Sequence, residues 1–222
     1  LDSDTSRRRG FSEQVLRELR EERLDVLIGT QMVAKGHDFP GVRLVGVVLA
    51  DIGLHLPDFR AAERTFQLLT QVAGRAGRAD RPGRVIVQTF VPDHYAHAPV
   101  GSHDFETFYR EEIEHREALG YPPFGGLTRL VVHGEEEETT RRAAEELARA
   151  GRLEIPEGSR LELLGPAPAP IAKLRGRFRF MLLVKGDDAA LQRRVGEALL
   201  RATRGLPRSV QSALDARPVN ML

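Results

Sequence analysis

Residues 127–150, LTRLVVHGEEEETTRRAAEELARA, decide how the second half of the chain folds. The apolar LTRLVVHG (127–134) reads as a strand and the charged EEEETTRRAAEELARA (135–150) as a helix. Acid at the amino end of that helix meets the positive end of its dipole. Working outward, RLELLG (160–165) and RFRFMLLVKG (177–186) read as strands, residues 188–204 as a helix, and SVQSALDAR (209–217) as a last strand. The order βαββαβ is that of a ferredoxin-like split βαβ sandwich. GPAPAPIAKLRG, between the two middle strands, reads as a Pro/Ala-rich loop.

Upstream, Gly120-Tyr121-Pro122-Pro123 breaks a charged helix over 104–119 and sets the expected domain boundary, 1–119 and 120–222. The first part has a different rhythm. FSEQVLRELREER (11–23) reads as a short amphipathic helix. LDVLIGT (24–30), VRLVGVVLA (42–50) and RVIVQTF (84–90) read as buried strands, nearly continuous in apolar residues, as in parallel sheets covered on both faces. Asp58 is placed to cap a helix in which Ala62, Phe66, Leu69 and Ala73 repeat at helical spacing. AGRAGRADRPG reads as a loop and VPDHYAHAPVGSHD as a connector. Strands alternating with a helix give an α/β layer pattern.

The composition sets outer bounds. With 222 residues, 41% hydrophobic and 29% charged, the chain can build one or two domains with a real core. No apolar run approaches the roughly 18 residues that span a bilayer. The arginine-rich amino end does not read as a signal peptide. There is no cysteine, so neither a disulfide nor a thiolate zinc site can form within these residues. A cytoplasmic location, associated with the nucleoid, is the expectation. Residues 1–120 carry 16 basic and 19 acidic side chains and residues 121–222 carry 17 and 13, so the second part leans toward polyanions. The chain opens on Leu1, not Met, which reads as a piece of a longer product.

Two loops carry chemistry. In GTQMVAKGHDFP (29–40), Gly29 and Gly36 permit close backbone approach, Thr30, Gln31 and Lys35 offer hydrogen bonds and charge to phosphates, and Asp38 can accept from a hydroxyl or hold an arginine. A tight strand-to-helix turn with solvated polar side chains explains the same residues. In QVAGRAGR (71–78), Gln71, Gly74, Arg75 and Arg78 sit at a helix end. A planar guanidinium matches phosphate oxygens and can stabilise charge that develops on a transferring phosphoryl group. Ordinary helix C-capping by glycine and arginine is the competing account. His94, His97 and His103 lack partners at zinc spacing and read as solvent-facing, so no metal ligand is assigned.

TQMVAKGHDFP and QVAGRAGR resemble motifs V and VI of superfamily 2 helicases. VLADIGLHLPDFRAAERTFQLLTQVAGRAGR, PGRVIVQTF, YREEIEHREALGYPPF, LLGPAPAPIAKLRGRFRFMLLVKG and LDARPVNML resemble the family of replication-restart DNA helicases, over nearly the whole chain. The resemblance implies the last part of a RecA-like second helicase lobe followed by the family's C-terminal domain. It implies an ATP-dependent 3′-to-5′ helicase that remodels stalled forks and assembles the primosome, with ATP and Mg2+ held mainly by a first lobe. Arg75 and Arg78 would then face the γ-phosphate, Arg78 as the finger, with Gln71 and Gly74 beside them. Gly36 and Asp38 would couple nucleotide to DNA, and Thr30, Gln31 and Lys35 would lie toward DNA. Arg60 and Glu63 also match the family text, although an i,i+3 surface pair accounts for Glu63.

The same family resemblance implies that the terminal domain contacts DNA and the single-stranded-DNA-binding protein, besides other primosome proteins. Lys173, Arg175, Arg177 and Arg179, if extended, place four cations on one face. Phe178 and Phe180 then either stack bases or fill the core. No GxxxxGK[ST] phosphate cradle, DExH-type segment or family zinc cysteines occur in the chain, so ATP hydrolysis is not expected of it alone. Zinc is expected only in upstream residues. A scaffold that binds DNA and primosome proteins but has lost its motor is the alternative. Another superfamily 2 motor would share the two loops but not the βαββαβ tail.

Overall fold

The computed structural model describes residues 11–30, 42–74 and 83–221. They form two compact units. The first comprises the described residues up to His55 together with Ala61–Glu112, and the second comprises Leu56–Arg60 and the residues from Ile113 onward. The division by compactness falls inside a helix whose amino-terminal half buries Phe108 in the first unit's core.

In the first unit, helix α1 spans Phe11–Arg20 and buries Leu16. Strands β1 (Leu44–Val47) and β2 (Arg84–Val87) pair in parallel, from Leu44 opposite Arg84 to Val47 opposite Val87. Helix α2 (Ala61–Ala73) makes the connection between them, and helix α3 (Phe105–Ala118) follows. Val47 and Val87 point to a core of Ala50, Phe66, Leu69, Ala96, Val100 and Phe108. Phe66 and Phe108 stack with centroids 4.2 Å apart and their rings nearly parallel.

Two expectations are corrected here. Residues 24–30 are not a strand, and Val26 and Ile28 are 74% and 81% exposed. A strand is defined by its ladder partners, and none of the described strands pairs with this segment. The strands at 42–50 and 84–90 are four residues each and buried on one face only, with Leu44, Val48, Ile86 and Phe90 exposed. Hydrophobicity permits burial on two faces, but α2 and the 91–104 connector cover only one. Asp58 stands at the entry to α2, where its Oδ1 accepts from the Arg60 amide at 3.0 Å, one residue before the helix begins, while Oδ2 accepts from the Met221 amide.

The second unit is a four-stranded antiparallel sheet in the order β4-β5-β3-β6, formed by β3 (Gly126–Gly134), β4 (Glu162–Leu174), β5 (Arg177–Gly186) and β6 (Val210–Ala216). Helices α4 (Glu137–Arg152) and α5 (Ala189–Ala202) lie on one face. The order βαββαβ with these neighbours is the ferredoxin-like sandwich. Leu130, Val132, Phe180, Leu182 and Val184 from the sheet meet Ala144, Leu147, Val195 and Leu199 from the helices. Phe180 thus fills the core. On the opposite face Leu127, Leu183 and Met221 bury a smaller core against Phe59, Tyr121 and Met181. Asp188 caps α5 by accepting from the Leu191 amide at 2.9 Å.

The supposed loop GPAPAPIAKLRG is largely strand. β4 runs through it to Leu174, with register shifts between Leu164 and Ala167 and between Pro168 and Lys173. β4 is an edge strand, where prolines lose no ladder bond that the sheet needs. Gly165 (φ 93°) leaves no room for a side chain, since a Cβ there would stand 2.6 Å from the Met181 carbonyl oxygen.

Candidate functional site

Of the residues expected at the nucleotide loops, Gln31, Lys35, Gly36, Asp38, Arg75 and Arg78 lie outside the described residues. Thr30 ends the irregular segment that follows α1. Gln71 is half-buried in the last turn of α2, and the Gly74 amide donates to the Thr70 carbonyl at 3.0 Å as the helix ends. Glu63, in the first turn of α2, accepts from Gln67 at 3.1 Å.

A polar cluster that the sequence reading missed occupies the carboxyl end of the parallel pair. Ligands bind open α/β sheets beyond such strand ends. Asp51 follows β1 and Thr89 follows β2. The Thr89 hydroxyl donates to Asp51 Oδ1, the Phe90 amide donates to Asp51 Oδ2 at 2.9 Å, and the Val91 amide donates to Thr89 Oγ1 at 3.0 Å. These bonds, the Thr89 hydroxyl first, hold the Asp51 carboxyl below the usual carboxylate range. His97 Nδ1 lies 3.2 Å from both Thr89 Oγ1 and the Val91 carbonyl oxygen, and 3.8 Å from Asp51 Oδ1. His97 is therefore buried, not solvent-facing, and its Nε2 finds no partner among the described residues. An aspartate ending an apolar strand run was the available signal. His94 stacks on Tyr95 with centroids 4.6 Å apart. No group of three or more metal-ligating side chains occurs among the described residues.

The cations of the second unit are arranged differently from the expected stripe. The chain reverses at Arg175 (φ 49°) and Gly176 (φ 81°), so Lys173 lies opposite Phe178 and Leu174 opposite Arg177. Two consecutive positive φ values make the tight two-residue hairpin turn whose twist matches its strands. Lys173 and Phe178 share one face, with the ammonium 4.2 Å from the ring centroid. Arg177 and Arg179 share the other face with His133. Arg177 Nη1 donates to Gln211 Oε1 at 2.8 Å and lies 3.3 Å from His133 Nδ1, while its Nη2 stands 3.8 Å from Glu135. Arg179 donates to the Ile171 carbonyl at 3.3 Å. Burial, then the two facing guanidinium groups, push the His133 imidazole below its ordinary value.

Comparison with known proteins places both units. The helicase conserved C-terminal domain family matches residues 3–80, and the primosomal protein N C-terminal domain family matches residues 117–219. The replication restart protein PriA of Bacillus subtilis is 42% identical over all of this chain, and those of Treponema pallidum and Synechocystis are 42% and 40% identical over the same span. The chain belongs to the PriA family. It spans 28%, 33% and 26% of those three PriA proteins respectively. Within the PriA framework, both glycine-rich loops fall in the helicase match and the β4–β5 hairpin in the C-terminal-domain match. No described helix is long and apolar enough to cross a membrane.

Proposed function

We propose that this chain is the C-terminal working part of an ATP-dependent 3′-to-5′ DNA helicase of superfamily 2. That enzyme recognises stalled or collapsed replication forks, remodels them and starts primosome assembly. The observation that carries the reading is identity of about two residues in five with PriA proteins along the whole chain, through both glycine-rich loops. The role assigned to the first unit is to complete an ATP site held mainly by a preceding lobe. Arg78, with Arg75, supplies fixed positive charge to the terminal phosphate of ATP-Mg2+. Gln71 and Gly74 set the approach to those arginines from the end of α2. Gly36 and Asp38 couple that site to DNA held by Thr30, Gln31 and Lys35.

The second unit, in this reading a domain from about Gly120 onward, meets forked DNA, the single-stranded-DNA-binding protein and other primosome proteins. Lys173, Arg175, Arg177 and Arg179 take phosphates. The protein works in the cytoplasm at the nucleoid.

The test is Arg78→Ala in the protein with its first lobe present. DNA-stimulated ATP hydrolysis should be lost while DNA binding survives. Unchanged turnover would sink the arginine-finger assignment, and turnover by these 222 residues alone would sink the division of labour between lobes.

A further inference from the structure

Asp58 and Phe59 come just before α2 in the chain, yet they pack with the second unit. The buried Asp58 carboxylate has two partners of different kinds. Oδ1 accepts from the Arg60 amide at 3.0 Å, at the entry to α2, and Oδ2 accepts from the Met221 amide at 3.1 Å, 163 positions further along the chain. Phe59 stacks on Tyr121 with ring centroids 5.5 Å apart, lies 5.4 Å from the Arg116 guanidinium, and packs against Leu127, Leu183 and Met221. A ring that meets both a second ring and a cation is fixed in orientation as well as buried.

This anchor has little freedom from α2. Arg60 alone separates Phe59 from Ala61, so at most about 7 Å of backbone can absorb a displacement. Asp58 already holds the Arg60 amide within that short link. α2 itself has 13 residues and is a rod about 20 Å long. Phe66 and Leu69 fix its middle in the first unit's core. Gln71 lies in its last turn, and Gly74, Arg75 and Arg78 follow in sequence.

We propose that Asp58 and Phe59 are positioning residues for ATP hydrolysis: held by the second unit, they set where α2 lies along its axis and so where the arginines after it meet the terminal phosphate. This rests on the reading above that Arg75 and Arg78 complete an ATP site. A guanidinium that stabilises developing charge acts only from the correct place, so a small misplacement is felt in turnover more than in ground-state binding. The second unit thereby aligns the motor, besides meeting DNA. Asp58→Asn isolates the bridge, because the amide nitrogen is a donor and only one of the two backbone N–H groups can then be accepted.

Steady-state ATP turnover is measured at saturating DNA in the protein with its first lobe present. Phe59→Ala should lower kcat about tenfold, and Tyr121→Ala and Asp58→Asn about threefold, each with KM for ATP changed less than about twofold. Phe59→Tyr, which keeps the ring, should retain most of the turnover. On an Arg78→Lys background the Phe59→Ala loss should shrink to less than about twofold, since a residue that acts through an arginine has little left to misplace once that arginine is weakened.

Losses that multiply across Phe59→Ala and Arg78→Lys, a rise in KM in place of a fall in kcat, or full turnover in both Asp58→Asn and Tyr121→Ala would overturn the positioning role. Full turnover in both Arg78→Lys and Arg78→Ala would instead remove the ATP-site reading beneath it. If Phe59→Ala melts below the assay temperature, Asp58→Asn crossed with Arg78→Lys decides by the same rule.

Discussion

The ammonium of Lys173 sits 4.2 Å from the centroid of the Phe178 ring, directly across the β4–β5 ladder. An exposed cation–π pair of this kind contributes about 0.5–1 kcal/mol. A double-mutant cycle of Lys173→Met and Phe178→Leu should therefore return a coupling of that size in denaturant midpoints. A coupling indistinguishable from zero would mean that the hairpin end is ordered by its turn alone.

The Asp51 carboxyl carries a pH dependence. Its protonation is shifted below the ordinary value of 3.8 by the Thr89 hydroxyl and the Phe90 amide. A depressed carboxylate stabilises the fold above its unfolded-state value and loses that contribution as pH falls through the folded one. Protection of the Phe90 amide against hydrogen exchange should thus fall as pH drops from about 3.8 downward. Asp51→Asn should flatten that fall and lower protection at neutral pH.

Leu182 and Leu147 meet in the core of the second unit and are 0% and 1% exposed. Either leucine changed to alanine should cost about 2–5 kcal/mol, as a lost side chain plus an unfilled cavity. Leu200→Ala, on the outer side of α5 where the side chain is half exposed, should stay within about 0.5 kcal/mol. Equal losses at all three would contradict the assigned core.

Asp188→Ala should cost about 1 kcal/mol by leaving the Leu191 amide without its cap, and Asp188→Asn should recover most of it. If the asparagine variant is no better than alanine, the effect belongs to charge at the helix end and not to the hydrogen bond.

The sheet order of the second unit follows from elements that announce themselves locally. LTRLVVHG, RFRFMLLVKG and the acidic start of α4 needed no neighbour to be recognised. The hairpin turn is hard to see in KLRGRFRF because its alternating cations suit one extended stripe, although Gly176 beside Arg175 marks a two-residue turn. PAPAPIAKL resembles a loop because proline is tolerated only in an edge strand, and which strand lies at the edge is settled by the whole sheet. The first unit was legible as α/β but not in its exposures, since the burial of Val26 or Phe90 depends on a covering layer that no residue encodes by itself. The Asp51–Thr89–His97 cluster draws its members from three separated segments, so only the folded chain brings it together. Of the nucleotide-loop residues named above, Gly29, Thr30, Gln71 and Gly74 have a described place.

The two edges of the second unit's sheet are unlike. β4 has three prolines and two register shifts, whereas β6 pairs regularly with β3 and has no proline. Growth of a fibre by edge-to-edge stacking needs two receptive edges per copy, one to give and one to take. A sheet sealed along β4 can at most close on a second copy through β6, back to back. Self-association by this route stops at two, which lets the domain keep one open edge without the hazard of polymerisation.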